Sequence, residues 1–161
     1  MKKHNVVRFG YVAVTVFVVT LLVTGCKNPT GADADNKNFL TVDGQTYALS
    51  ELYFIDYWDG GIGYNINISI TGPDLESVYL WTYFSGSSVS SGTYSYSNST
   101  NAGTFCGESN LGTASDSYYI TAGEVDISIS GSTYTIDGDV TVSGGLRATF
   151  NYTGPLTGYY D

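Results

Sequence analysis

Histidine and positive charge are what this chain has least of. The sole histidine is His4, so everything after it is without imidazole. That excludes a downstream Ser-His-Asp or Cys-His nucleophile system and any zinc site that needs imidazole. Six Lys and Arg stand against 15 Asp and Glu, and beyond residue 38 the only basic side chain is Arg147. Nucleic-acid affinity comes mainly from neutralising phosphates, so no nucleic-acid partner is expected. Electrostatic adhesion to anionic lipid is disfavoured by the same imbalance. Cysteine is equally scarce: Cys26 and Cys106 are the only two. Helical periodicity is missing too, because no segment repeats its apolar residues at 3.6-residue spacing.

What the chain does have begins with an apolar run. Lys2, Lys3 and Arg8 make a basic start, and Phe9 to Val23 is an uncharged stretch of 15 residues. A spanning helix needs roughly 20, so a transmembrane anchor is the weaker reading. The lengths suit the charged and apolar regions of a signal peptide, closed by the small pair Thr24-Gly25. Leu22-Val23-Thr24-Gly25-Cys26 resembles the lipobox of bacterial lipoproteins. The resemblance implies diacylglycerol on the Cys26 thiol, cleavage after Gly25, and an acylated Cys26 as the new N-terminus. The alternative is a secretory signal cut without lipidation. Each buried CH2 of an acyl chain contributes about 0.8 kcal/mol, so one chain holds weakly and several hold well. The implied location is the bacterial cell envelope. Lys27, in place of Asp, follows the cysteine, which in the enterobacterial sorting scheme permits transfer to the outer membrane.

Such processing changes the chemistry of what remains. His4 leaves, and Lys27, Lys37 and Arg147 face all 15 acids, a formal charge of −12. Solubility of an exported protein accounts for that acidity. With Cys26 acylated, Cys106 has no partner for an intramolecular disulfide, despite an oxidising compartment. A buried thiol acting as a small hydrophobe is expected there.

Residues 26–38 form the lipidated cysteine and a polar tether. The twelve residues after Cys26 carry no large apolar side chain. They reach at most roughly 40 Å when extended. A single domain over residues 39–161 follows, rich in Thr, Tyr, Val, Ile and Ser, which favour strands or turns. Val125, Ile127 and Ile129 alternate with Asp126, Ser128 and Ser130, and Gly131-Ser132 is a two-residue hairpin signal. The next strand sets Tyr134, Ile136, Val140 and Val142 against Thr133, Thr135, Asp137, Asp139 and Thr141. A last strand after Gly144-Gly145 places Leu146, Ala148, Phe150 and Tyr152 inward. Residues 77–84 are apolar on both parities, as in a strand covered on both sides, which puts Trp81 in the core. The pattern predicts an all-β fold of about 8–10 strands. It is an antiparallel sandwich or a closed barrel, lipocalin-like in one version, with a C-terminal meander. The texture resembles small Tyr/Thr/Gly-rich β domains of bacterial surface lipoproteins, and that resemblance carries no catalytic residues.

The candidate sites are few. Asp137, Asp139, Asp56 and Asp59 are oxygen ligands of the kind that Ca²⁺ takes. Asp137 and Asp139 lie two apart on one strand and share a face, although Asp-Gly is also ordinary turn chemistry. In a continuous strand both simply coat the solvent side, with Gly138 a bulge or a close packing point. Paired carboxylates also serve glycosidases, but no motif selects a pair among 15. Trp58, with Tyr57 beside it, stands next to Asp56 and Asp59 before a glycine turn, and is the better aromatic for a ligand rim. Gly60-Gly61-Ile62-Gly63 lacks the lysine and following helix of a phosphate loop. No cofactor is expected.

The function these features suggest is a lipid-anchored envelope protein with a non-catalytic β domain. It would bind a glycan, a small apolar ligand or an envelope partner, or serve as structure. The alternatives are a carboxylate-dependent glycan hydrolase and a subunit of an adhesive envelope assembly.

Overall fold

The computed structural model describes residues 38–57 and 64–160, without the side chains of residues 56, 57, 64–67 and 160. Twelve strands follow one another with short connections. The first five are β1 (Phe39–Val42), β2 (Gln45–Ala48), β3 (Glu51–Tyr57), β4 (Tyr64–Thr71) and β5 (Ser77–Phe84). Then come β6 (Gly92–Tyr96), β7 (Thr104–Phe105), β8 (Asn110–Gly112) and β9 (Ser117–Ser130). The chain ends with β10 (Thr133–Val142), β11 (Arg147–Pro155) and β12 (Gly158–Tyr160). A single 3₁₀ turn, Ser143–Gly145, lies between β10 and β11.

Turn chemistry sets the registers. Asp43 and Gly44 both take positive φ, 50° and 72°, as a two-residue I′ turn requires, and they join Val42 to its partner Gln45. Gly131 at φ 62° opens the loop that pairs Ser130 with Thr133, the glycine-first pattern of a II′ turn. Two strands are bent or broken rather than separate. Between β2 and β3, the Leu49 N–H donates to Asn38 O (3.1 Å) and the Ser50 N–H to Thr71 O (2.8 Å). The bend thus hands the chain from β1 to β4. β7 and β8 lie along one edge of β5, both antiparallel to it, with a loop at 106–109 between them. Merging each pair, and setting aside the inserted β6 and terminal β12, leaves an up-and-down antiparallel meander of eight. β9 pairs with β8 near its start and with β6 farther along. Hydrogen bonding therefore closes a five-strand ring, β5–β7–β6–β9–β8. The fold is all-β, a closed barrel with additional strands.

Alternation along each strand delivers one apolar set inward. Leu52, Phe54, Ile68, Ile70, Val78, Leu80, Phe105, Ile136 and Phe150 are at most 1% exposed. Phe84 stacks edge-on to Tyr94 at 4.9 Å, and Phe54 to Tyr134 at 5.2 Å. Large rings fill the middle, so among the described residues the interior is packed by side chains. The sequence expectations for β9, β10 and most of β11 hold, and Gly138 is a close packing point. It pairs with Phe150 across the sheet, and a Cβ at Gly138 would run into the Phe150 ring.

Three expectations are corrected. Leu146 sits at the turn and is 37% exposed, because the 3₁₀ turn takes the place of the strand's first inward position. Cys106 is half-buried at the break between β7 and β8, outside the apolar core. Trp81 faces outward with Tyr79, half-buried, while Val78, Leu80, Thr82 and Phe84 face in. Both parities of β5 are apolar, and Thr82 is the one polar residue on the inward set. Its hydroxyl is buried without a hydrogen-bond partner.

Two stability measurements follow from this packing. An unsatisfied buried hydroxyl costs about 1–3 kcal/mol, so Thr82→Val raises stability by about 1 kcal/mol in urea unfolding. Thr82→Ser, which keeps the hydroxyl and loses a methyl, falls below wild type. Gly138→Ala overpacks the sheet and costs roughly 1–3 kcal/mol, and Phe150→Leu in the same chain recovers part of that loss.

Candidate functional site

The strongest concentration of chemistry among the described residues lies on the outer wall of β9 and β10. The II′ turn at Gly131 fixes the pairing of these strands. Asp126 is opposite Asp137, and Glu124 is opposite Asp139. Like charges directly across a sheet are unfavourable, yet two such pairs stand side by side. The neighbouring strands supply the compensation. Thr93 Oγ1 of β6 donates to Asp126 Oδ1 (2.5 Å), and Ser95 Oγ donates to Glu124 Oε1 (3.3 Å). On the other flank, Asn151 Nδ2 of β11 donates to Asp137 Oδ1. Arg147 grips Asp139 with two bonds, Nε to Oδ1 at 2.8 Å and Nη2 to Oδ2 at 2.6 Å. The result is a polar ladder with acids in its two middle strands and donors in its outer two.

All four carboxylates are exposed. They surround an open depression of about 310 Å³ that also touches Phe39, Gly138 and Thr149. Its floor is shallow because the interior beneath is filled. Asp139 is shifted within the ladder. Hydrogen bonding from Arg147 holds its carboxyl below the ordinary aspartate range, helped by the guanidinium charge and opposed by partial desolvation.

Comparison with protein-family models, curated proteins and solved structures finds no match. The site is therefore read from its own geometry.

Of the expected oxygen ligands, Asp137 and Asp139 do lie together on one face, each with an acid across from it. Asp59 and the Asp56 side chain lie outside the described residues, as do Trp58 and the Tyr57 side chain; the Tyr57 backbone ends β3, paired with Asn65. Among the described residues no group of three or more His, Cys, Asp or Glu converges as a metal cage would. The ladder instead uses its carboxylates as acceptors for protein donors. Glu124 and Asp126 were not singled out from sequence. The signal for them was present: a two-residue turn after Ser130 fixes the register, and that register puts each of them opposite an aspartate.

Elsewhere the described acids are scattered. Asp43, Glu51, Asp74, Glu108 and Asp116 are exposed, and Glu76 alone is buried, at 5%. Its Oε2 accepts the Asp74 N–H at 2.9 Å, which ties the turn between β4 and β5. Two acids converging in a cleft, as a glycosidase needs, do not occur among the described side chains away from the ladder.

Arg147 is the cation that keeps Asp139 compatible with Glu124. A carboxyl whose folded-state pKa is depressed stabilises the fold above its unfolded value, near 3.9. That stabilisation is lost as pH falls through the lower folded value. Arg147→Ala is accordingly less stable than wild type at pH 7. The gap narrows as pH falls below about 4, and Asp139→Asn shows less pH dependence there than wild type. Thermal unfolding across pH 2–8 at low salt reads both effects.

Proposed function

We propose that this chain is a lipid-anchored bacterial envelope protein whose β-barrel domain is non-catalytic and works by binding on its outer wall. The observation that carries the proposal is the division of chemistry between the two faces of the sheet. Inward positions are filled by large apolar side chains, which supports an exterior site over a lipocalin-like internal one. Outward positions hold the carboxylate ladder, with each acid engaged by a neutral or cationic donor. A general acid poised for glycoside cleavage needs a raised pKa from burial or a close anion. Asp139 in the ladder is moved the other way, downward, by its hydrogen bonds from Arg147.

The attachment part rests on the sequence. The Leu22 to Cys26 motif supplies the anchor, and residues 27–38 supply a tether that leads to the start of β1. Asn38 is the first described residue. Its Oδ1 accepts the Thr153 N–H at 2.6 Å, which ties the end of the tether to β11. Outer-membrane placement follows from Lys27 in the sorting scheme named above. A strongly acidic domain on an acyl anchor stays soluble beside an anionic membrane instead of adhering to it.

Mass spectrometry of the protein from bacterial membranes tests this reading. The expected N-terminal peptide begins at Cys26 and carries diacylglyceryl and acyl mass, and Cys26→Ser moves the protein out of the detergent phase. An intact Met1, or an unmodified N-terminus at Cys26, overturns the anchor.

A further inference from the structure

We propose that the outer face of β3, β4 and β5 is a trough that binds a neutral glycan. This names the ligand class for the outer-wall reading above and rests on that reading.

The three strands pair in register. Ser69 of β4 lies between Tyr53 of β3 and Tyr79 of β5, and Asn67 lies between Ile55 and Trp81. A short polar residue type thus lies between larger ones at both levels, with aromatic neighbours on both sides at Ser69 and on the β5 side at Asn67. Strands two apart are roughly 9–10 Å from one another, so Tyr53 on one side and Tyr79 with Trp81 on the other stand as walls, with Ser69 on the floor between them. Ser69, Tyr53, Tyr79 and Trp81 are half-buried, so part of each reaches the surface while the remainder is held by the sheet. The Trp81 backbone is fixed on this edge: its amide N–H donates to the buried Ser109 Oγ at 3.0 Å, and its carbonyl accepts the Cys106 N–H at 3.0 Å.

The chemistry of the face selects the occupant. A sugar ring has apolar C–H faces that lie on aromatic rings, and hydroxyls that both donate and accept. The rings of Tyr53, Tyr79 and Trp81, together with the Ser69 and tyrosine hydroxyls, meet both needs. An apolar ligand would strip water from the polar floor without replacing its hydrogen bonds. A peptide adding as a strand needs free backbone groups, and β4 is paired along both edges. The charges nearby are acidic. Tyr53 Oη donates to Glu51 Oε2 at 2.9 Å, and Glu108 lies close enough to help burial raise the Tyr79 pKa. Tyr79 therefore stays a neutral donor at physiological pH. Arg147 is on β11, committed to Asp139. Among the described residues a uronate or phosphorylated glycan finds no cation on this face.

Titration of the purified mature domain with cellohexaose, mannohexaose, xylohexaose and chitohexaose, followed by tryptophan fluorescence and calorimetry, tests the proposal. Polygalacturonate is the anionic control. At least one neutral hexaose is expected to bind, with polygalacturonate silent. Trp81→Ala and Tyr79→Ala each weaken binding at least tenfold, while Trp81→Phe keeps most of it at an unchanged melting temperature. Ser128→Ala, on the opposite wall, binds as wild type. No binding by any of the four at millimolar concentration overturns the proposal. So does binding that survives Trp81→Ala and Tyr79→Ala in folded protein. Loss of binding on Asp137→Asn alone would move the site to the carboxylate ladder, sinking the trough but leaving the outer-wall reading intact. Acylation of Cys26 is scored separately, so failure of the trough and failure of the anchor are distinct results.

Discussion

A filled interior is the constraint on which everything else in this domain depends. Closing a sheet into a barrel gives every strand an inside and an outside, and the pleat assigns alternate residues to each. Once rings such as Phe54, Phe84, Phe105 and Phe150 occupy the middle, a one-residue slip in any strand would exchange its entire apolar set for polar ones. Registers are therefore fixed with little tolerance. The contact between Gly138 and the Phe150 ring is the sharpest case, because only the absence of a Cβ lets the ring lie across the neighbouring strand. The same closure leaves few exposed edges. β12 and β2, at the two ends of the strand order, have only three and four residues, too short to template much pairing with another chain.

The fixed register then creates an electrostatic problem on the outside. The pairings that place Val125 and Ile127 in the core also put Asp126 against Asp137 and Glu124 against Asp139. The sheet cannot relieve this by sliding. Relief comes sideways, from Thr93 and Ser95 on one flank and Asn151 and Arg147 on the other. Three of these four are uncharged, so the wall remains net acidic even where each carboxylate has a donor. Arg147 matters beyond its single charge, since no other described basic side chain lies on the barrel. The shallowness of the depression among these acids has the same origin as their register: the ring of Phe150 lies behind Gly138.

Legibility in the sequence followed the strength of alternation. The meander from Val125 to Tyr152 is readable because each strand keeps polar residues on one parity and apolar ones on the other, with two-residue or glycine turns between. β5 defeats the same reasoning. Val78, Leu80 and Phe84 on one parity and Tyr79, Trp81 and Tyr83 on the other are both apolar. Only the pairing with β4 and β7 decides that Trp81 looks out and Thr82 looks in. The split of residues 104–112 into β7 and β8 is invisible locally. It arises from Cys106 and Ser109 bonding to Trp81 across the break, a tertiary contact with no local signature. The carboxylate ladder was half legible: Asp137 and Asp139 stand out as a pair, whereas Glu124 and Asp126 emerge only when the hairpin register is carried through to its partners.

The placement of function follows from these physical divisions. Among the described residues the barrel interior is filled by side chains, which leaves its walls and rims to offer a ligand. Its walls are of two kinds. One carries carboxylates already engaged by donors, so any ligand there must displace a protein hydrogen bond and then face a net negative field. The other sets Ser69 between the rings of Tyr53 and Tyr79, beside Trp81, where a neutral polyhydroxylated ring gains contact area without burying an unpaired charge. The acidity that repels anionic polymers costs nothing against an uncharged one. On the anchoring proposed above, weak contacts of this kind become effective through local concentration. On the proposed reading the aromatic wall is the better place for recognition, and the acidic wall the better place for solubility.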